Sequence, residues 1–329
     1  MSLIINADAA GIAQAVERLL AGKLVALPTE TVYGLGADAT NDHAVASIFE
    51  AKGRPSFNPL IVHYAFTGDA AQDVVFDQRA ETLASLFWPG PLTMILPRRE
   101  DARVSLLCSA GLPTLAVRVP AHPVAHKVLE DLGRPIAAPS ANKSGTISPT
   151  TPQHVAESLG EAAGMILAAG RAVVGLESTV MDLTGTIPVI LRPGAVTPED
   201  IQMHIGEVTV ELQAKEGAEV KSPGQLLRHY APKTPLRLSA IDVRHGEALL
   251  AFGSLRFMGM QGGGFAKDLP EDKLLNLSPS GDLNEAAANL FAMLRRLDTC
   301  GHTAIAVMDI PKTGLGLAIN DRLRRAAGA

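Results

Sequence analysis

The chain has 329 residues, of which 47% are hydrophobic and 19% are charged, a composition typical of a folded globular protein and not of a disordered one. Its formal net charge of −5 argues against a protein that grips a long phosphate backbone, because such proteins carry a basic face. Two cysteines are too few for a disulfide framework or a cysteine-rich zinc site.

The length exceeds what one hydrophobic core usually organises, so two domains are expected. The chain does not open with a basic segment followed by an apolar stretch, and it has no uncharged apolar run long enough to span a bilayer. We therefore expect a cytoplasmic protein that has no membrane partner.

A helix and a buried strand open the predicted fold. The apolar residues that share one face of this helix are Ile12, Val16, Leu19 and Leu20. Residues 23–27 then form a strand, and the glycine- and hydroxyl-rich residues 28–36 are predicted to be a loop at its end. Asn41 or Asp42 can cap the next helix.

The alternation of strand and helix patterns continues to about residue 205. Helices are predicted near residues 79–87 and 122–132. Further strands are predicted at residues 60–63, 92–96, 114–119, 135–138, 165–168, 179–182 and 189–191. The pattern predicts an α/β domain, residues 1–205, with one large mixed sheet.

The second half begins with a break in this alternation. Residues 211–221 are charged and poorly periodic, and Ser222-Pro223-Gly224 interrupts any regular element, so residues 206–234 are predicted to be a linker. Beyond it, strands are predicted at 236–238, 248–252, 274–277 and 303–308, with helices at 282–298 and after 314–316. This order predicts a small α/β domain, residues 235–329, with parallel strands.

Two common catalytic motifs are absent from the sequence. No GxxxxGK[ST] segment occurs, so the chain is not a P-loop enzyme. No GxSxG segment occurs and Ser140 has no neighbouring histidine, so a serine triad has little support.

Several polar residues nevertheless lie where ligands usually bind. Arg118 lies within a predicted buried strand and needs an anion, for which a substrate carboxylate and a structural carboxylate remain equally open. Lys52 and Arg54 follow a helix, where they either complement its dipole or bind an anion. His63 and Ser140 each follow a strand, a suitable position in an open α/β sheet.

Six segments in this order resemble the signature blocks of the YrdC-like threonylcarbamoyl-AMP synthases. They are residues 28–35 (PTETVYGL), 52–60 (KGRPSFNPL), 88–93 (WPGPLT), 140–142 (SAN), 177–180 (ESTV) and 191–194 (LRPG). Residues 222–224 (SPG), 228–232 (RHYAP) and 314–318 (GLGLA) resemble the linker and C-terminal end of the two-domain form.

The resemblance implies a YrdC-like twisted mixed-sheet catalytic domain and a smaller Rossmann-like α/β domain, with a linker that closes over the active site. It implies that L-threonine, bicarbonate and ATP give threonylcarbamoyl-AMP and pyrophosphate, the first step of tRNA threonylcarbamoyladenosine modification, so that the enzyme is a nucleotidyltransferase. The product would pass to a tRNA threonylcarbamoyl-transferase complex, with direct tRNA binding weak at most. Mg²⁺ would arrive with ATP, without a dedicated metal site on the protein.

The resemblance also implies roles for individual residues. The catalytic set is Lys52, Arg54, Ser140 and Asn142. Threonine would be held by Thr31, His63, Arg118 and Ser178, with Arg118 on its carboxylate. ATP would be bound by Arg54, Asn58, Thr114, Ala138, Ser140, Ser148, Arg192 and Tyr230, the last of these closing over the nucleotide.

Two other functions are compatible with a YrdC-like fold. A YrdC-like fold can bind double-stranded RNA or tRNA through a basic concave patch, against which the net charge of −5 stands. Hydrogenase-maturation carbamoyltransferases contain the same fold, but they also carry cysteine-rich zinc fingers that two isolated cysteines cannot supply.

Overall fold

A computed structural model describes residues 3–212, 229–256, 258–261 and 263–328. The described chain divides into two compact units. The first contains residues up to 144 together with 148–173 and those from 177 to 212, and the second contains 145–147, 174–176 and those from 229 onward. Much of the predicted linker, residues 213–228, lies outside the described residues, so its boundaries remain a prediction. No helix in the described ranges is long and apolar enough to cross a membrane.

Eleven strands of the described first unit form one mixed sheet in the order β1-β8-β2-β3-β7-β4-β6-β5-β9-β10-β11. Their bounds are β1 Leu3–Asn6, β2 Val25–Leu27, β3 Gly34–Asp38, β4 Ile61–His63, β5 Leu92–Pro97, β6 Thr114–Arg118, β7 Ile136–Ala137, β8 Met165–Ala168, β9 Thr179–Asp182, β10 Val189–Arg192 and β11 Thr209–Val210. The prediction of one large mixed sheet is confirmed.

All of the α-helices described in this unit except α3 begin at a side-chain cap that the sequence supplies. Their bounds are α1 Ala9–Leu20, α2 Asp42–Lys52, α3 Thr67–Ala70, α4 Gln78–Phe87, α5 Leu106–Ser109, α6 Pro123–Leu132, α7 Pro152–Leu159 and α8 Pro198–Ile205. Asn41 caps α2 by accepting hydrogen bonds from the backbone of His43 and Ala44, and α2 ends where Gly53 turns left-handed at φ 59°. This ending leaves Lys52 as the last residue of α2 and Arg54 just beyond it.

Two expectations about the first elements are wrong. The predicted loop of residues 28–36 ends earlier, because Gly34 begins β3. Glycine suits this strand, since a Cβ atom on Gly36 would lie only 3.0 Å from a side-chain carbon of Ile136 and 3.1 Å from the carbonyl oxygen of Val25. Leu20 is 50% exposed and lies outside the apolar face of α1, whereas Leu19 is fully buried.

The second unit has its own sheet and its own core. Four of its described strands pair in the order β12-β17-β14-β16, all parallel. The bounds are β12 Leu236–Arg237, β13 Asp242–Val243, β14 Ala248–Ala251, β15 Gly259–Met260, β16 Leu274–Asn276 and β17 Ile305–Val307, with helices α9 Leu283–Asp298 and α10 Leu315–Ala327. The predicted parallel pairing is confirmed.

Candidate active site

A row of residues crosses five strands of the large sheet. His63 at the end of β4 pairs with Arg118 at the end of the parallel strand β6. On the other side, Thr93 of β5 pairs with Val180 of β9, and Val180 pairs with Arg192 at the end of β10. Because paired residues on neighbouring strands project from the same face of a sheet, this register gives one face a band of polar groups.

Arg118 is 3% exposed and has a structural carboxylate partner. Its Nη2 lies 2.5 Å from Oε1 of Glu30, its Nη1 donates to the hydroxyl of Thr31 at 3.1 Å, and its Nε donates to the carbonyl of Gly90 at 3.1 Å. Burial raises the pKa of the Glu30 carboxyl, but the charge and hydrogen bond of Arg118 outweigh burial and leave this pKa below its ordinary value. Two guanidinium N–H groups of Arg118 have no hydrogen bond within the described residues.

His63 is a buried, neutral side chain beside this pair. Burial, with a smaller contribution from the charge of Arg118, lowers the pKa of the imidazole to about 3. Within the described part of the chain, its Nδ1 atom is buried without a hydrogen-bond partner. A neutral imidazole with this environment can exchange hydrogen bonds with a ligand, but it is a weak proton acceptor at neutral pH.

Ser178 lies between a threonine and an arginine on the same face. Its hydroxyl is 2.7 Å from the hydroxyl of Thr93, and Nη2 of Arg192 donates to it at 3.1 Å. Nε of Arg192 also donates to the Ser178 carbonyl at 3.1 Å. The structure therefore brings Arg192, expected near ATP, against Ser178, expected near threonine.

Lys52 connects α2 to the segment after β7. Its Nζ donates to the carbonyl oxygens of Ser140 and Asn142, both at 2.5 Å. Burial, followed by the positive charge of Arg54, lowers the pKa of the Lys52 amine well below its ordinary value, while Glu177 acts in the opposite direction. An anion bound beside Lys52 would raise this pKa again, because its negative charge stabilises the protonated amine. The lowered pKa therefore favours a role in anion binding.

Arg54 and Asn58 hold the loop that precedes β4. Arg54 donates to the carbonyls of Asn58 at 3.2 Å and Pro59 at 2.8 Å. Asn58 is 1% exposed, and its side-chain oxygen is buried without a hydrogen-bond partner among the described residues. Elsewhere in the first unit, the buried hydroxyl of Ser148 donates to Glu177 at 2.5 Å.

The remaining expected residues are divided between the two units. Thr114 begins β6, at the end of that strand opposite to Arg118, and the backbone N–H of Ala138 donates to Ile61 at 3.0 Å. Tyr230 belongs to the second unit, where it is buried and stacks on Phe291 with ring centroids 5.5 Å apart. The first unit therefore contains every expected site residue except Tyr230.

His63 and Ser140 each follow a strand, as expected, but the two strands run in opposite directions, because β4 and β7 are antiparallel. Ser140 therefore bridges to Gly34 and follows the end of β7 that lies beside the start of β4, whereas His63 lies at the end of β4. Asn58 and Ser140 therefore lie toward the start of β4, whereas His63 and Arg118 lie toward its end.

Three buried polar residues of this site were not predicted from the sequence: Glu30, Thr93 and Glu177. Each contacts an expected site residue, through the hydrogen bonds to Arg118, Ser178 and Ser148. All three lie inside segments that carry the family resemblance, which is the signal that could have found them. Their contacts join residues far apart in sequence, so spacing alone did not connect them.

Two family models together match nearly the whole chain. The Sua5_yciO_yrdC family model, described as "Telomere recombination", matches residues 17–194, so the first unit is a domain of the Sua5, YciO and YrdC class. A second model, described as "Threonylcarbamoyl-AMP synthase, C-terminal domain", matches residues 196–328. The chain belongs to the two-domain threonylcarbamoyl-AMP synthase family.

Individual relatives agree along nearly the whole chain. It is 43% identical over 316 residues to the threonylcarbamoyl-AMP synthase of Pyrococcus abyssi, covering 93% of this chain and 91% of that protein. It is 42% identical over 328 residues to that of Bacillus subtilis, covering 96% and 93%. The crystal structure of P. abyssi Sua5 complexed with L-threonine matches with a TM-score of 0.86 at 39% identity, covering 100% of this chain and 98% of that one. The expected YrdC-like fold is confirmed.

Proposed function

We propose that this chain is an L-threonylcarbamoyladenylate synthase of the nucleotidyltransferase type. The amine of L-threonine adds to the carbon of bicarbonate, water leaves, and an N-carboxylate remains. An oxygen of this carboxylate then attacks the α-phosphorus of ATP, the bond to the β-phosphate oxygen breaks, and pyrophosphate leaves with threonylcarbamoyl-AMP as the product. One observation carries the proposal: the first unit buries four cationic side chains, Lys52, Arg54, Arg118 and Arg192.

The end of β4 is the proposed threonine site. Arg118 has guanidinium N–H groups to spare among the described contacts, and these suit the carboxylate of the amino acid. Thr31 and Ser178 offer hydroxyls beside Arg118 and Arg192, and neutral His63 offers a hydrogen-bonding nitrogen. Side chains of this kind can recognise the hydroxyl of threonine as well as its carboxylate.

The start of β4 is the proposed nucleotide site, with Lys52, Arg54, Asn58, Ser140, Asn142 and Ser148 around it and Thr114 and Ala138 along its wall. The reaction brings together two anions, so charge neutralisation and positioning are the main contributions that the protein must make. The lowered pKa of Lys52, caused first by burial, supports this site, because phosphates would relieve the cost of charging the amine.

Mg²⁺ is proposed to arrive on the triphosphate. Among the described residues there is no group of three or more His, Cys, Asp or Glu side chains placed to hold a metal ion, while phosphate oxygens are ligands that Mg²⁺ prefers. When bound, the ion would neutralise charge on the leaving pyrophosphate. Lys52 and Arg54 would share that task from the protein side. We further propose that the adenylate passes to a tRNA-modifying transferase complex.

Pyrophosphate release from Mg·ATP tests the proposed function. The full-length protein should release pyrophosphate only when both L-threonine and bicarbonate are present, and a parallel assay with L-serine measures its selectivity. Lys52→Ala should lower turnover by about 100-fold or more, the usual cost of removing one group that stabilises developing charge. Lys127→Ala removes an exposed lysine of α6 that pairs with Asp131, and this control should keep normal turnover. Release that ignores threonine would refute the proposal.

A further inference from the structure

The two carboxylate oxygens of Glu30 have different surroundings. Oε1 accepts a hydrogen bond from Nη2 of Arg118 at 2.5 Å. Oε2 is buried and has no hydrogen-bond partner within the described residues. Leaving a buried carboxylate oxygen without a hydrogen-bond donor is unfavourable, so Oε2 is an available acceptor next to Arg118.

The charges around Glu30 leave this acceptor available. Arg118 on β6 forms the salt bridge, with side chains 4% and 9% exposed for arginine and glutamate. His63 on β4 is kept neutral by burial, and burial also lowers the pKa of His122, the cap of α6, although Glu30 opposes that shift. The backbone amides of Glu30 and Ala121 add to the field that keeps the carboxyl ionised. Among the described groups, Arg118 is therefore the one cation of the protein that contributes to the charge balance of Glu30, and Oε2 is left for a cation of the substrate.

We propose that Glu30 binds the α-ammonium group of L-threonine through Oε2, so that Arg118 and Glu30 together recognise the zwitterion of the amino acid. This inference rests on the proposed function, because it assumes that Arg118 holds the threonine carboxylate. An arginine–glutamate pair is a charge complement to a zwitterion: each fixed charge lies beside the opposite charge of the substrate. Free carboxylic acids without the amine do not match this pair.

The electrostatic interaction between Glu30 and the substrate nitrogen group changes from attraction to repulsion during the reaction. Bound as an ammonium, threonine is attracted to Glu30. Carboxylation converts the ammonium and bicarbonate into an N-carboxylate, water and a released proton, and the new anion is repelled by the Glu30 carboxylate. The repulsion favours the N-carboxylate turning toward Lys52, Arg54 and the α-phosphate, where its oxygen must attack.

Calorimetric binding to full-length Glu30→Gln tests the proposal with two ligands. One is L-threonine, and the other is (R)-3-hydroxybutyrate, which keeps the carboxylate and hydroxyl but lacks the amine. We expect the Kd for L-threonine to rise about tenfold or more, since a charged hydrogen bond is lost, while the Kd for hydroxybutyrate stays unchanged or falls. Equal weakening of both ligands would overturn the proposal and make Glu30 only a positioning residue for Arg118. Unchanged threonine binding would also overturn it.

Two further variants control for folding and for charge. Glu130→Gln changes an exposed glutamate of α6 and should bind both ligands as the wild type does. Glu30→Asp keeps the negative charge, so it should bind L-threonine more tightly than Glu30→Gln does, and it carries the test if the glutamine variant fails to fold. Failure of the proposed function would instead appear in the wild type, as pyrophosphate release that does not depend on threonine.

Discussion

Buried charge is a feature that several of the site residues share. Lys52, Arg54, Arg118 and Arg192 are all at least nine-tenths buried. Replacing a buried ion pair by apolar groups of the same size is often neutral or stabilising, so stability alone does not account for the pair of Arg118 and Glu30. A substrate that uses both charges does account for it.

The low pKa of His63 predicts how the stability of the protein depends on pH. The pKa of His63 in the folded state is about 3, below the ordinary value of about 6.5. Between these two values the imidazole is protonated in the unfolded chain but neutral in the folded protein. Stability from this group is complete above pH 6.5 and is lost as pH falls toward 3, by about 1.4 kcal/mol per pH unit. Between pH 7.5 and 5.0, the free energy of unfolding should fall about 2 kcal/mol less in His63→Gln than in the wild type.

Urea unfolding at the two pH values measures this difference. Arg118 and Glu30 also face the imidazole, and comparison of wild type and variant at each pH cancels most of their own contributions. His43→Gln, which changes an exposed histidine of α2, is the matched control and should keep the wild-type difference. An equal pH dependence in wild type and His63→Gln would show that His63 is not held neutral.

Strand direction determines the shape of the site at the scale of elements. Parallel pairing of β4 with β6 brings His63 and Arg118 side by side, while antiparallel pairing of β4 with β7 sends the segment after Ala137 toward the start of β4. The carboxyl-end rule for parallel sheets therefore does not apply across β7. The mixed sheet instead places site segments near both ends of β4.

The turn after β10 packs closely against the start of β9. A Cβ atom on Gly194 would lie 2.4 Å from the backbone nitrogen of Thr179 and 2.7 Å from the carbonyl oxygen of Glu177. Gly194→Ala should therefore destabilise the protein by about 1–3 kcal/mol. It should also raise the KM for threonine, because the displaced segment carries Ser178. Thermal or urea unfolding and threonine-dependent turnover measure the two effects.

Gly68→Ala is the matched control for this substitution, since nothing lies within 4 Å of a Cβ atom at Gly68. It should leave stability and KM within experimental error of the wild type. If Gly194→Ala matched this control, the close approach of the turn to β9 would not constrain the site.

At the scale of the whole molecule, the chain is acidic although its first unit buries several cations. The net charge is −5, yet Lys52, Arg54, Arg118 and Arg192 are buried in the first unit. Such a distribution suits small anions that enter a pocket better than a polyanion that spreads over a surface. The molecule as a whole therefore favours metabolite chemistry over tRNA binding.

Binding of labelled tRNA to the full-length protein tests this conclusion. At physiological salt, fluorescence anisotropy should give binding no tighter than the usual nonspecific range of about 10⁻⁴ to 10⁻⁶ M. Excess tRNA should leave threonine-dependent pyrophosphate release unchanged. Submicromolar affinity that falls steeply with salt would contradict the prediction and return the RNA-binding reading to consideration.

The sequence by itself determined most elements and the identity of the site segments. The strands at residues 165–168 and 179–182, the Asn41 cap and the helix that begins after Asp282 follow from local rules of periodicity and capping. These rules act over a few residues, so they are readable along the chain. The segments around Lys52 and Ser140 likewise needed no structure to be recognised as family segments.

Only the tertiary structure decided which of these residues meet. It paired Arg118 with Glu30, 88 positions away, joined Lys52 to Ser140 and Asn142, and placed Gly34 in a strand where the sequence indicated a loop. Strand order and direction bring these groups together, and they depend on the packing of the whole sheet and not on local propensity. A buried charge reveals from sequence that it needs a partner, but the partner is chosen by the fold.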